Sequence, residues 1–205
     1  DAHCEDNTQV KDSPEAEWKQ IERDIKLADD TKVKYHVCHI STKESVSLIR
    51  DAKASGVDIT CETAPHYLTF SEEDVRDDGR YRMNPPIRAF ADKTALLEGI
   101  LDGTIDMIAT DHAPHTDEDK KNGSPGMVGL ETAFSVCNTV LVQKHGLNIC
   151  KLSEMMSCNP AKLLKMNKGL LQEGFEVCSF VFPAGEASKT PDTYVQILRF
   201  LAENQ

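Results

Sequence analysis

The sequence predicts an α/β fold with parallel strands, and three features carry that prediction. Short apolar segments alternate with helical patterns: a strand over 33–40, a helix over 41–55 and a second strand over 57–61 form one βα unit. Met107-Ile108-Ala109-Thr110 reads as a buried strand that stops at Asp111-His112-Ala113-Pro114-His115. A carboxylate at the end of such a strand sits where α/β barrels and open sheets keep their chemistry. With 205 residues, 40% hydrophobic and 28% charged, the chain is also long and apolar enough to bury a core.

Composition excludes several functions. The net charge of −11 argues against a nucleic-acid backbone or an anionic membrane surface as partner, but not against an anionic small molecule. Seven Cys with no Cys-x-x-Cys pair suit free thiols in a reducing compartment, so a cytoplasmic location is expected. No apolar run is long enough for a membrane span, and no signal-peptide pattern opens the chain. Because it begins at Asp1 without Met, it reads as a fragment or a trimmed product.

Taken in order, Ser13-Pro14-Glu15 opens a helix with a cap, a first-turn Pro and an acid at the positive end. Trp18, Ile21, Ile25 and Ala28 form its apolar face. Val33, Tyr35 and Val37 alternate with Lys34, His36 and Cys38 in the first strand, which runs to Ile40 with His39 near its end. Ser41-Thr42-Lys43-Glu44 has the form of a capping box for the next helix, which places Val46, Ile49 and Ala52 inward and stops at Gly56. The second strand runs into Glu62-Thr63-Ala64-Pro65-His66. A short helix and loop are expected over 71–81, a rigid turn at Asn84-Pro85-Pro86, and a helix from Lys93 to Leu101. The charged segment 116–126 reads as a lid. One helix from about Leu130 to His145 and another capped by Asn159-Pro160 follow.

The strand ends bring chemistry together. His39, His66 and Asp111 each end a strand, and His3 precedes the first helix of the same pattern. Neutral imidazoles with a carboxylate are the ligands of zinc and similar ions at hydrolytic sites, where the ion lowers the pKa of its water. The bland alternative makes Asp111 a turn cap and the histidines loop surface. His36 and His112 read as supporting or structural, and His66, between Pro65 and Tyr67, leans to a packed turn.

His36-Val37-Cys38-His39-Ile40-Ser41-Thr42, Ala64-Pro65-His66-Tyr67-Leu68, Met83-Asn84-Pro85-Pro86 and Thr110-Asp111-His112-Ala113-Pro114-His115 jointly resemble dihydroorotase of the amidohydrolase superfamily, with Ala2-His3-Cys4-Glu5-Asp6 as the end of a preceding barrel strand. The resemblance runs from Asp1 to about Gly174. It implies a partial (β/α)8 TIM-type barrel, roughly its last four βα units, and a two-metal site, usually zinc. It implies interconversion of dihydroorotate and N-carbamoyl-L-aspartate in pyrimidine synthesis. By motif, His3, His39 and Asp111 correspond to metal ligands. Asp111 also corresponds to the catalytic proton shuttle, and Asn84, His115, Pro125 and Gly126 to substrate contacts. A dihydropyrimidinase or allantoinase is the neighbouring alternative. The family's first-strand His-x-His-x-Arg motif and the bridging Lys or Asp of its fourth strand are not in the sequence. An incomplete metal pair, a half barrel with two open sheet edges and no activity by itself are therefore expected. A non-catalytic half barrel completed by a partner is the other alternative, and a homo-oligomer is left open.

The last segment, 175–205, differs in character. A strand is expected over 175–182, a turn at Pro183-Ala184-Gly185-Glu186 and a helix over 192–203. Val181 to Thr190 is similar to an N-terminal piece of 3-dehydroquinate synthase, whose Gly-Glu-x-x-Lys turn contacts NAD. The glycine-rich segment that should follow is missing, so no NAD binding is expected. The sequence thus divides into a hydrolase-like domain, 1–174, and a fragment, 175–205.

Overall fold

The structure, a computed structural model, describes residues 2–166 and residue 196. The chain divides into two units, and the first, Asp1–Gly169, carries everything below. The expected strand, turn and helix of the tail lie outside the described residues, apart from Gln196, which is helical and exposed.

Three parallel strands form the sheet in the order β1 (Tyr35–Val37), β2 (Ile59–Thr63), β3 (Met107–Ile108). In register, His36 lies beside Thr60 and Glu62 beside Met107, and Ala2 bridges to Val37 on the free side of β1. The strands are shorter or later than the sequence suggests. β1 omits Val33, which is 55% exposed, and β2 extends to Thr63, whose hydroxyl donates to the Ile40 carbonyl at 2.9 Å.

Side chains alternate across the strands. One face sends Val37, Ile59, Cys61 and Ile108 into a core shared with Val46 and Ile49 of α2 (Lys43–Ala54) and Leu96 and Ile100 of α4 (Phe90–Leu101). The other face carries His36, Cys38, Thr60 and Glu62. α1 (Pro14–Thr31) starts as expected: Pro14 occupies its first turn and the Ser13 hydroxyl accepts from the Ala16 amide at 3.3 Å. Its Trp18 is only half-buried, while Glu17, which no apolar pattern selects, is 3% exposed.

Glu17 also changes how α2 begins. Thr42 is the cap, accepting from the Ser45 amide at 3.2 Å, but Glu44 does not complete the box. Instead the Glu17 carboxylate crosses from α1 and accepts the Ser41 amide at 2.9 Å and the Thr42 amide at 3.1 Å. Asp92 of α4 takes the Lys43 amide at 2.9 Å. The orphan donors of the helix terminus are therefore satisfied by carboxylates distant in sequence.

Further differences follow the same logic. α4 starts at Phe90 and not Lys93, because its first turn is half exposed and leaves no apolar period to read. The 130–145 segment splits into α6 (Ala133–Cys137) and a wide π-type turn, Asn138–Lys144, which a 3.6-residue period cannot separate. Asn159 is not a cap. The helical run begins after Asn148, whose side chain accepts from the Cys150 amide at 2.8 Å, and passes through α7 (Ile149–Ser153) and a second π-type turn into α8 (Asn159–Leu163). Asn159 donates its side-chain amide to the Asp106 carbonyl at 2.8 Å, tying that run to the approach to β3. Among the described residues no helix is long and apolar enough to cross a membrane.

Candidate active site at the strand ends

His3 and His39 are 36 positions apart in sequence but meet beyond the ends of neighbouring strands. Their Nδ1 and Nε2 atoms lie 2.9 Å apart, with the rings edge-on at a centroid distance of 4.7 Å. Parallel pairing brings the two backbone segments together, since the Ala2 amide donates to the His36 carbonyl and the Cys38 amide to the Ala2 carbonyl, both at 3.0 Å. The Glu5 carboxylate joins the pair, 3.5 Å from His3 Nε2, and accepts from the Asn84 side-chain amide at 3.4 Å. Sequence reasoning passed over Glu5. Its only signal was an acid two residues from His3.

His39 and Asp111 share an unusual backbone. Both are non-glycine residues in the left-handed region, with φ of 36° and 48°. Such conformations cost roughly 1–3 kcal/mol each and gather where side chains must be aimed. Among the described residues the Asp111 carboxylate has no hydrogen-bond or ion-pair partner, and His39 Nδ1 is buried without one. Asp111 lies near enough to Cys38 to help, after burial and Glu62, to raise that thiol's pKa.

His36, His66 and His112 take supporting positions. The His112 Nδ1 accepts from the Gly129 and Leu130 amides at 3.0 and 3.3 Å, which fixes the segment after Gly126 beside β3. His66 in α3 (Pro65–Thr69) is 6% exposed and packs against Tyr67, as the packed-turn reading expected. Burial, with a smaller push from His39, lowers its pKa from the ordinary 6.5 to about 4. The unfolded state therefore binds the proton first, and His66 contributes stability above pH 6.5 that is lost as pH falls from 6.5 towards 4. At 1.36 kcal/mol per unit this amounts to about 3 kcal/mol. Urea unfolding across pH 4–8 should show this slope, and His66→Gln should flatten it. Equal slopes in the two proteins would refute the assignment.

The segment read as a lid is tied down. Thr116 and Asp119 form a capping box at α5 (Asp117–Lys121). Lys120, only 8% exposed, spends its three N–H bonds on the carbonyls of Arg82, Ser124 and Gly126 at 2.9, 2.9 and 2.7 Å. Gly126, at φ 141°, presses against Ala113 and His115, and a Cβ there would come within 2.7 Å of the Ala113 oxygen. The structure thus brings Gly126 and exposed His115 together and joins their segment to the Asn84 loop. The Gly126 amide donates to the Arg82 carbonyl at 2.9 Å and its own carbonyl is taken by Lys120. Pro125 is exposed, and among the described residues nothing bonds to its carbonyl.

The amidohydrolase family model matches residues 1–199. The chain belongs to the amidohydrolase family. That match passes residue 174, into the segment read from sequence as a separate piece. A dihydroorotase from Brevibacillus brevis is 52% identical over 166 residues, covering 78% of this chain and 39% of its own length. One from Listeria welshimeri is 44% identical over 216 residues, covering 94% of this chain and 51% of its own. The chain spans about half the length, or less, of these curated relatives. Among solved structures, the L-hydantoinase (dihydropyrimidinase) from Arthrobacter aurescens superposes with a TM-score of 0.73 at 34% identity, over 78% of this chain and 38% of that one. The D-hydantoinase from a Thermus species gives 0.73 at 26% identity, with the same coverages.

The donor set fits a metal ion of the zinc kind. Two imidazoles converge at hydrogen-bond distance and a buried imidazole nitrogen is unsatisfied, whereas among the described residues the Asp111 carboxylate does not close with both imidazoles into one three-ligand group.

Proposed function

We propose that these residues form the back half of a (β/α)8 barrel in a dihydroorotase, which opens and closes the dihydroorotate ring. The observation that carries this reading is the meeting of His3 and His39 at 2.9 Å, in a chain 52% identical to a dihydroorotase. His3, His39 and Asp111 would hold the metal, zinc by donor type, which supplies Lewis acidity and a water of lowered pKa.

The chain's own groups do the rest. Asp111, aimed by its left-handed backbone, takes a proton from the attacking water at a carboxylate oxygen and returns it to the ring nitrogen as the amide bond breaks. Asn84 offers a donor and an acceptor to the ring's polar edge. Glu5 holds His3 and Asn84 in a common orientation. Of the Pro125–Gly126 pair, the Pro125 carbonyl is the acceptor still available to substrate, since Gly126 is engaged on both sides. His115 borders the same edge.

The likeness to hydantoinases favours a second reading, a dihydropyrimidinase, and one assay separates the two. A polypeptide carrying these residues together with the family's first-strand motif should open dihydroorotate, followed by its absorbance change, and leave dihydrouracil and hydantoin largely untouched. Turnover of hydantoin without dihydroorotate would reverse the assignment.

A further inference from the structure

The face of β1 and β2 turned away from the helix-packed core carries a second set of metal donors. His36, Cys38 and Glu62 each offer one ligand atom, and those atoms lie within 4.8 Å of one another. The register explains why. His36 sits beside Thr60, so two residues on, Cys38 and Glu62 share the same face of adjacent strands. His36 Nε2 is 3.4 Å from a Glu62 oxygen. On the far side of the ring, His36 Nδ1 lies 2.7 Å from the Thr60 hydroxyl. With Nδ1 donating to Thr60, Nε2 presents a bare lone pair towards Glu62. This is how a metal-binding histidine is usually oriented, by a partner on its other nitrogen.

We propose that His36, Cys38 and Glu62 form a separate thiolate-containing site for a zinc-type divalent cation. Nitrogen, sulfur and carboxylate oxygen together suit a borderline-soft ion and do not suit magnesium or calcium. His36 is 5% exposed and the Glu62 side chain 19%, so these two donors are largely withdrawn from water on the strands, and Cys38, partly exposed, follows directly after β1. Of the three donors, His36 also borders a cavity of about 490 Å³, shared with Lys34, Thr60, Asp106 and Met107. Binding is balanced by release of the Cys38 thiol proton to solvent as the sulfur–metal bond forms, with no change of oxidation state. The site does not depend on the dihydroorotase reading. It differs from the strand-end set in one decisive respect, because His3, His39 and Asp111 include no sulfur.

That difference supplies the test. The purified 205-residue chain, reduced with a phosphine and stripped of metal, is titrated with cobalt(II) and then competed with zinc(II). A thiolate-to-cobalt charge-transfer band in the near ultraviolet, bleached by zinc, is expected. Cys38→Ser should abolish the band, and Cys150→Ser, at an exposed thiol, should keep it. His3→Ala with His39→Ala should also keep it. Glu62→Gln should weaken cobalt binding, and Thr60→Val should weaken it by about 10- to 100-fold, the usual effect of losing a partner behind a ligand. Circular dichroism confirms folding of each variant, and the Glu62 and Thr60 variants test the site even if Cys38→Ser unfolds. A chain that gives no charge-transfer band overturns the proposal. So does a band that survives Cys38→Ser, or one whose cobalt affinity is indifferent to both Glu62→Gln and Thr60→Val.

Discussion

Replacing Asp111 by Asn should lower dihydroorotate turnover by about 10² to 10⁴-fold or more, the range that general acid–base help commands, with loss of a ligand charge added to it. The substitution is unusually clean at this position. Asp111 sits at φ 48°, and Asn is among the few residues that tolerate the left-handed region, so the backbone need not move. The amide matches the carboxylate in size and keeps one oxygen, but it cannot take up a proton and give it back. His115→Ala should behave differently, raising KM more than it lowers kcat, because the proposed function gives His115 a place at the substrate edge and not at the reacting bond. Both variants are assayed by the absorbance change on ring opening, in a polypeptide that includes the first-strand motif, with metal content and folding checked. Near-normal turnover by the Asp111→Asn protein would remove Asp111 from proton transfer and the mechanism with it.

Part of this site was legible because it rests on local rules. The βα unit of β1, α2 and β2 shows in alternation, a cap and a glycine stop, and strand ends mark where donors converge. The parallel bridge of Ala2 to Val37 then brings the His3 segment alongside the His39 segment. What escaped the sequence is what tertiary contacts decide. No local pattern marks His39 or Asp111 as left-handed, since each holds that conformation against its own preference. Lys120 reads as one more charge in a solvated run, yet it is buried because three carbonyls from two segments converge on it. Asn159 precedes a proline and so looks like a cap, but its side chain is committed to the Asp106 carbonyl. The His36–Cys38–Glu62 cluster is visible only once the register of β1 against β2 is known, because the donors are spread over 27 positions of sequence.

Glu17 is the sharpest case of a residue whose weight appears only in the fold, and Glu17→Ala should destabilise the protein by about 3 to 5 kcal/mol, the cost of breaking a buried charged network. The carboxylate accepts five hydrogen bonds: from the Ser41 and Thr42 amides, from the Ser41 hydroxyl at 2.5 Å, the Thr42 hydroxyl at 3.0 Å and the Ser45 hydroxyl at 2.7 Å. Truncation leaves two amides at the start of α2 without partners, in a place where Ser41, Thr42 and Ser45 are all fully buried and water cannot replace them. Glu17→Gln keeps the volume but turns an NH2 group towards donors and removes the negative charge at a helix N-terminus, so a smaller loss of about 2 kcal/mol is expected. The damage should travel, because Ser41 follows His39 by two residues and the Arg88 guanidinium, which holds the Asp12 carbonyl at 2.6 Å, also donates to the Ser41 hydroxyl at 3.1 Å. Urea denaturation supplies the free energies, and amide exchange over 39–45 reports whether the start of α2 has loosened. A loss below about 1 kcal/mol for Glu17→Ala, within the range of ordinary surface substitutions, would show that the network adds little and that α2 is held by its apolar face alone.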